Sequence, residues 1–475
     1  MSRLALSALC CVMLMPALAG CAKDGEQPAR VAVIESGGAN SAALLTAAAT
    51  AEGMVTLDAE GKVVPAVAER WTVTDDGSSY IFRLRDAAWP DGARLSGESV
   101  AAALRQTIAA QRGTALGLDL GVVEEVRAMA SRVVEVRLRR PMPDFLQVLA
   151  QPELGLTRRG EGTGPMTGRE ASRLTWLTPI QPDKRGLPLP DDWAQGVRPV
   201  TVAPVKAKKA LADLAAGRID AVLGGSFADL ALVQGGALSK IKPQVDPVNG
   251  LFGLMVLHAE GMLEKPALRE ALAMAIDRSA LAGDLGLSGW VPTTRILVGG
   301  EGPERWADYD LENRRVLAAR RIAIWAQAHH ATPSLRIALP EGPGADRLAN
   351  RLTQDFASIG VRLVRVGPKA QADLGLMDEV ARYTGPVWVF NRLNCAVRQP
   401  CAPDADVLAA QAQEAETPAE ALALTAEAER AYASANIYIP LGQPVRYALT
   451  TGNFIGFAIN RWAYHPLFAF SNRPK

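Results

Sequence analysis

Residues 53–100 read GMVTLDAEGKVVPAVAERWTVTDDGSSYIFRLRDAAWPDGARLSGESV. Tyr80, Phe82 and Leu84 recur at every second position, the period of a strand with one buried face. Asp76-Gly77 leads into this strand and Asp91-Gly92 follows it, each a turn signal because Gly accepts a left-handed backbone that other residues resist. Strand and helix signals alternate over nearly the whole chain, and this mixing predicts an α/β fold rather than a bundle or a sandwich.

The same mixing extends outward. Val134, Val136 and Leu138 alternate with Glu135, Arg137 and Arg139, which reads as a second half-buried strand. Residues 335–339, a helical pattern over 345–359, Gly360 and the apolar run 361–366 predict a strand, a helix, a stop and a strand, hence a right-handed crossover in a parallel sheet. Pro266 suits a first helical residue, and Leu268, Ala271, Leu272, Ala275, Ile276 and Ser279 then share a face. Thr417-Pro418-Ala419-Glu420 has the form of a capping box, and the Ala-rich helix after it is expected to lie on a sheet.

Arg3 and the uncharged run 4–18 form a secretory signal, too short to span a bilayer and stop. The run ends in Leu18-Ala19-Gly20-Cys21, which resembles a bacterial lipobox and makes Cys21 the expected site of lipidation. Residues 21–30 then read as the lipidated N-terminus and a polar tether. The folded part is thus expected in the periplasm or cell envelope, held to the membrane through Cys21. A formal charge of +1 gives no reason to expect a nucleic-acid partner. With Cys10 and Cys11 in the signal, Cys395 and Cys401 are left in the fold; an oxidising compartment favours a disulfide, and two free thiols are the alternative. His258, His329, His330 and His465 show no ligand spacing with these cysteines, so no metal site and no cofactor is expected.

Read in order, Gly53-Met54-Val55, Gly61, Pro65, Ala68-Glu69, Trp71, Asp76-Gly77, Trp89, Asp91-Gly92, Leu95-Ser96 and Val100 resemble extracellular solute-binding protein family 5, the dipeptide-, oligopeptide- and nickel-binding proteins of ABC transporters. Weaker matches at Phe145, 162–165, Ile219-Asp220, 275–278 and 439–441 carry the resemblance along the chain. It implies an α/β fold of the periplasmic binding protein type, type II and peptide-binding class, with two lobes and a small extra subdomain. On that scheme residues 1–20 are the signal peptide and 31–52, 162–249 and 441–475 form lobe I. Residues 53–161 are its small subdomain, and 250–440 form lobe II. The implied protein is a monomer that is not an enzyme. It closes on a peptide or peptide-like solute and presents it to a permease and ATPase complex.

Family members often carry a Trp, two residues and then an Asp that meets a peptide's ammonium group. This chain has Trp388-Val389-Phe390-Asn391, followed by Arg392, whose planar cation would suit a carboxylate or phosphate if it faced the cleft. Trp388, Phe390, Asn391, Arg392 and Asn394 are therefore the candidate ligand residues, with Ser36 from the Gly-rich turn after the first strand. His258 stands near the lobe crossing, where a satisfied structural role is the simpler reading. Two other functions fit the fold: a ligand-binding sensor or scaffold of the envelope, and an envelope hydrolase. The sequence has neither a Gly-x-Ser-x-Gly elbow nor a His-Glu-x-x-His helix to support the hydrolase.

Overall fold

A computed structural model describes residues 27–35, 41–234, 241–286, 289–298, 304–452 and 454–473. Within them the chain builds two large sheets, a four-stranded one and two two-stranded ribbons, the mixed α/β fold that the sequence predicts. The signal segment, the tether and the lipidation candidate Cys21 lie outside the described residues, as does Ser36.

The first sheet has seven strands. Ala29–Ile34 runs near its middle, parallel to Val200–Val205 on one side and to Ala221–Ser226 on the other. Val31, Val33 and Ile34 are all buried, because helices cover both faces of a parallel strand and leave no side for polar residues. The helix Ala207–Ala215 makes the crossover between two of these strands and buries Ala210, Leu211 and Leu214. Arg446–Thr450 pairs antiparallel with Ala221–Ser226 and returns the end of the chain to this sheet.

The second sheet is ordered Arg362–Val366, Ser334–Ala338, Leu374–Val380, Gly250–Val256, Tyr438–Gly442. Its first two strands are parallel and joined by the helix Pro343–Ala357, the crossover that the alternating pattern predicts. Gly360 takes φ +79° in the connection, where a side chain would be strained. The chain passes from the first sheet to the second between Val245 and Gly250 and returns between Gly442 and Arg446. The two passages touch, since the Gly250 amide donates to Oε1 of Gln443 at 3.0 Å. Because Tyr438–Gly442 lies wholly in the second sheet, the expected division after residue 440 falls inside a strand.

The third sheet is antiparallel, ordered Ala68–Val73, Ser79–Leu84, Val133–Leu138, Val123–Ala130, and carries the helix Gly97–Ala110 on its buried face. Tyr80, Phe82, Leu84, Val134, Val136 and Leu138 fill its core in the predicted alternation. Ser96 and Ser99 close a capping box at the helix start, and Trp89 Nε1 donates to Ser99 Oγ at 2.9 Å. This core does not end at the small sheet. It is continuous with Trp388, Phe390, Leu393, Ala428 and Tyr432 from the helices between strands Leu374–Val380 and Tyr438–Gly442 of the second sheet.

Two expectations about helices need correction. The helix at Pro266 ends at Ala275, and Asp277 accepts from the Ala280 amide to start a separate helix, Arg278–Leu285, so Ser279 does not extend the first apolar face. Thr417 accepts from the Glu420 amide as the cap pattern requires, but the helix Pro418–Ala435 packs chiefly on the helix Pro403–Glu414 rather than on a sheet. Small alanines let two helices approach closely enough to cover one another.

Candidate functional site

A cleft of about 950 Å³ opens where the three sheets converge. Leu44, Leu45, Leu223 and Phe227 come from the first sheet and its helices, Leu57, Leu116 and Val148 from the small unit, and Met255, Leu257, Leu376 and Trp388 from the second. Phe227 meets Phe252 edge-on at 4.9 Å between ring centres, so the two large sheets are in apolar contact beneath the cleft.

The helix Pro386–Leu393 forms part of the wall. With about 100° of turn per residue, Trp388 and Arg392 share one face while Phe390 points the other way. Trp388 and Arg392 line the cleft accordingly. Trp388 is buried, and its Nε1 has no hydrogen-bond partner among the described residues. Phe390 stacks on Tyr432 at 5.2 Å and belongs to the core, which corrects its expected place at the ligand. Asn394 Oδ1 accepts from the Ala396 amide at 2.8 Å in the turn that ends the helix, and that residue does not line the cleft either.

Arg392 is not the free cation that the sequence suggested. Its Nη1 lies 2.9 and 2.7 Å from the two oxygens of Asp119, with the guanidinium 4.5 Å over the Trp388 ring. Asn391 Nδ2 and the Tyr383 hydroxyl donate to the same carboxylate at 2.8 and 2.7 Å. Burial, and then the neighbouring Asp119 charge, pushes the Tyr383 phenol well above its ordinary range, so it stays a proton donor. The amide at position 391 is thus spent on Asp119, a carboxylate contributed from a distant part of the chain. Asp119 is missed when the Trp388 region is read alone. Its signal is a lone acid in the apolar run ALGLDLGVV at 115–123, where an unpartnered charge could not be buried.

Three more ion pairs line the cleft: Arg382 with Glu153 at 3.2 Å, Arg446 with Asp378 at 2.9 Å, and Arg398 with Glu379 at 3.0 Å. Burial raises the Asp378 carboxyl above its usual range, and the Arg446 charge opposes that rise. His465 also lines the cleft, with Nε2 3.2 Å from Asp246. The segment carrying Ser36 is outside the described residues, while Ser41 beyond it lines the cleft. Cys395 and Cys401 are joined by a disulfide with Cα atoms 5.1 Å apart, in the loop after the Trp388 helix. Among the described residues, no group of three or more His, Cys, Asp and Glu could hold a metal, and no helix is long and apolar enough to cross a membrane.

Residues 62–169 match the family described as bacterial extracellular solute-binding proteins, family 5 middle. A stretch of 121 residues, 22% of this chain, is 34% identical to a probable deoxycholate-binding periplasmic protein of Escherichia coli, of which it spans 23%. Across 94% of the chain the fold superposes on Haemophilus influenzae OppA in complex with the peptide RPPGFSPFR, covering 99% of it with a TM-score of 0.77 at 16% identity. It superposes likewise on the Escherichia coli murein tripeptide binding protein, covering 97% of it with a TM-score of 0.76 at 18% identity. These likenesses establish the two-lobed periplasmic binding protein fold.

Proposed function

We propose that this chain, residues 62–169 of which match the bacterial extracellular solute-binding proteins of family 5, is the extracytoplasmic substrate-binding component of an ABC import system. It captures a short peptide or peptide-like solute between two lobes and presents it to a membrane permease driven by an ATPase. The family matched is one of solute-binding proteins, and the Escherichia coli relative that shares 34% identity over 121 residues is named a periplasmic binding protein. The observation that carries the reading is the cleft itself: about 950 Å³ between two large sheets and the small unit, the large sheets being joined, among the described residues, by two adjacent chain passages. That is the geometry in which a ligand touching both walls favours the closed form.

In this reading the first sheet and its flanking segments form lobe I, residues 53–161 its small subdomain, and residues 250–442 lobe II. The protein acts as a monomer, and an acylated Cys21 holds it on the membrane. The experiment is mass spectrometry of the small molecules released when the purified protein is denatured, paired with small-angle scattering before and after the solute is added back. A single class of solute, bound again with a fall in radius of gyration, supports capture by closure. An unchanged scattering curve at saturation ends it. Radiolabelled palmitate entering the wild type but not Cys21→Ala checks the anchor.

A further inference from the structure

The cleft's charges show what its solute must lack. Among the described residues, four carboxylates and four guanidinium groups line it, and each acid is matched with one arginine. Three of the four pairs join distant parts of the chain: Asp119 to Arg392, Glu153 to Arg382, and Asp378 to Arg446. They tie the small unit or the first sheet to the second and leave no charge over for a ligand. A solute bringing its own ammonium or carboxylate would compete with a pair already made. At the Asp119–Arg392 and Asp378–Arg446 pairs, whose side chains are at most 20% exposed, the displaced partner would stay in poorly hydrated surroundings, a heavier loss than the new contact returns. For Asp119, a buried side chain, that loss would be greatest.

What the cleft does offer is apolar surface and neutral hydrogen bonding. Leu44, Leu45, Leu57, Leu223, Met255 and Trp462 present hydrocarbon and aromatic faces from opposite walls. The amide of Gln111 lines the same space. Trp388 adds a buried N–H with no partner among the described residues, and such a donor costs stability unless an acceptor reaches it. Given the solute-binding function proposed above, we infer that the natural ligand carries neither free termini nor net charge: an apolar, amide-bearing molecule such as an end-capped or cyclised short peptide, whose carbonyl oxygen accepts from Trp388 Nε1.

Calorimetry on the purified wild-type protein, refolded free of solute, tests this with three probes of similar apolar content. They are N-acetyl-trileucinamide, trileucine with free ends, and deoxycholate. The capped peptide is expected to bind at least tenfold more tightly than either charged probe. Trileucine or deoxycholate binding as tightly as the capped peptide overturns the inference and leaves the solute-binding reading standing. If no probe binds and denatured protein releases no solute, both fall. Trp388→Phe keeps the ring and removes the donor, and is expected to weaken the capped peptide roughly tenfold, the usual worth of one such bond. An unchanged affinity removes Trp388 from the recognition. The comparison of probes uses the wild type and stands whether or not that variant folds.

Discussion

Two buried ionic clusters, alike in chemistry, do different work in this molecule. In the first, Glu52 lies between Arg85, at 2.8 Å, and Arg185, and Arg85 also donates to the carbonyls of Ala66 and Thr163 at 3.0 Å each. In the second, Asp119 receives Arg392, Asn391 and Tyr383. The first cluster pins the start of the small unit to the connections on either side of it, inside one packed body. The second reaches across the cleft wall to a helix 273 residues further on. Burying an ion pair adds little stability over an apolar substitute, while removing one partner costs a great deal. Such a pair therefore acts less as glue than as a demand that its two elements come together. One cluster makes that demand of the fold and the other of the cleft wall.

Breaking the first cluster should have the largest effect. Arg85→Ala leaves Glu52 half-compensated and two carbonyls without donors, and is expected to lower unfolding stability by about 3–5 kcal/mol in urea titration. Arg392→Ala should cost less stability, about 2 kcal/mol, because Tyr383 and Asn391 still serve Asp119. A double-mutant cycle with Asp119→Asn would then show a coupling of about 2 kcal/mol. Were Arg392→Ala as damaging as Arg85→Ala, the contrast between fold and cleft would be lost.

Asp229 sharpens the comparison as a buried carboxylate with no ion pair among the described residues. Burial pushes it up to about 6 from an ordinary 3.8. The folded state therefore holds this proton more tightly than the unfolded chain does. The resulting stabilisation is complete below about pH 4 and is lost as pH rises through 6. Asp229→Asn should raise stability by about 2 kcal/mol at pH 7.5, leave it nearly unchanged at pH 4, and flatten the melting profile between. A parallel profile for wild type and variant would show that this carboxyl is as well solvated as a surface one. The smallest effect expected is from Cys395→Ser with Cys401→Ser. Opening a loop with a sequence separation of 6 should cost about 2 kcal/mol or less in thermal unfolding.

Strands and turns were legible because their signals are local. The alternation of Tyr80, Phe82 and Leu84 needs no partner to be read, and neither does the cap at Thr417. The cleft was legible only in part. The spacing of Trp388 and Arg392 puts both on one helical face, but nothing near Arg392 in the sequence says that Asp119 has claimed it. Phe390 looked like a ligand residue because it sits inside a recognisable pattern, although its half-turn offset from Trp388 already turned it toward Tyr432. Long-range pairing decides which polar groups are free, and a linear pattern does not carry that information.

The two chain passages between the large sheets have a mechanical consequence. A single strap would let the sheets twist and slide as well as bend. Two straps side by side, cross-linked where the Gly250 amide meets Gln443, resist torsion and shear far more than flexion. Whatever relative motion the halves have is thereby channelled into one swing about that seam. The ion pairs that join the halves must then engage or part together, as teeth on a common jaw.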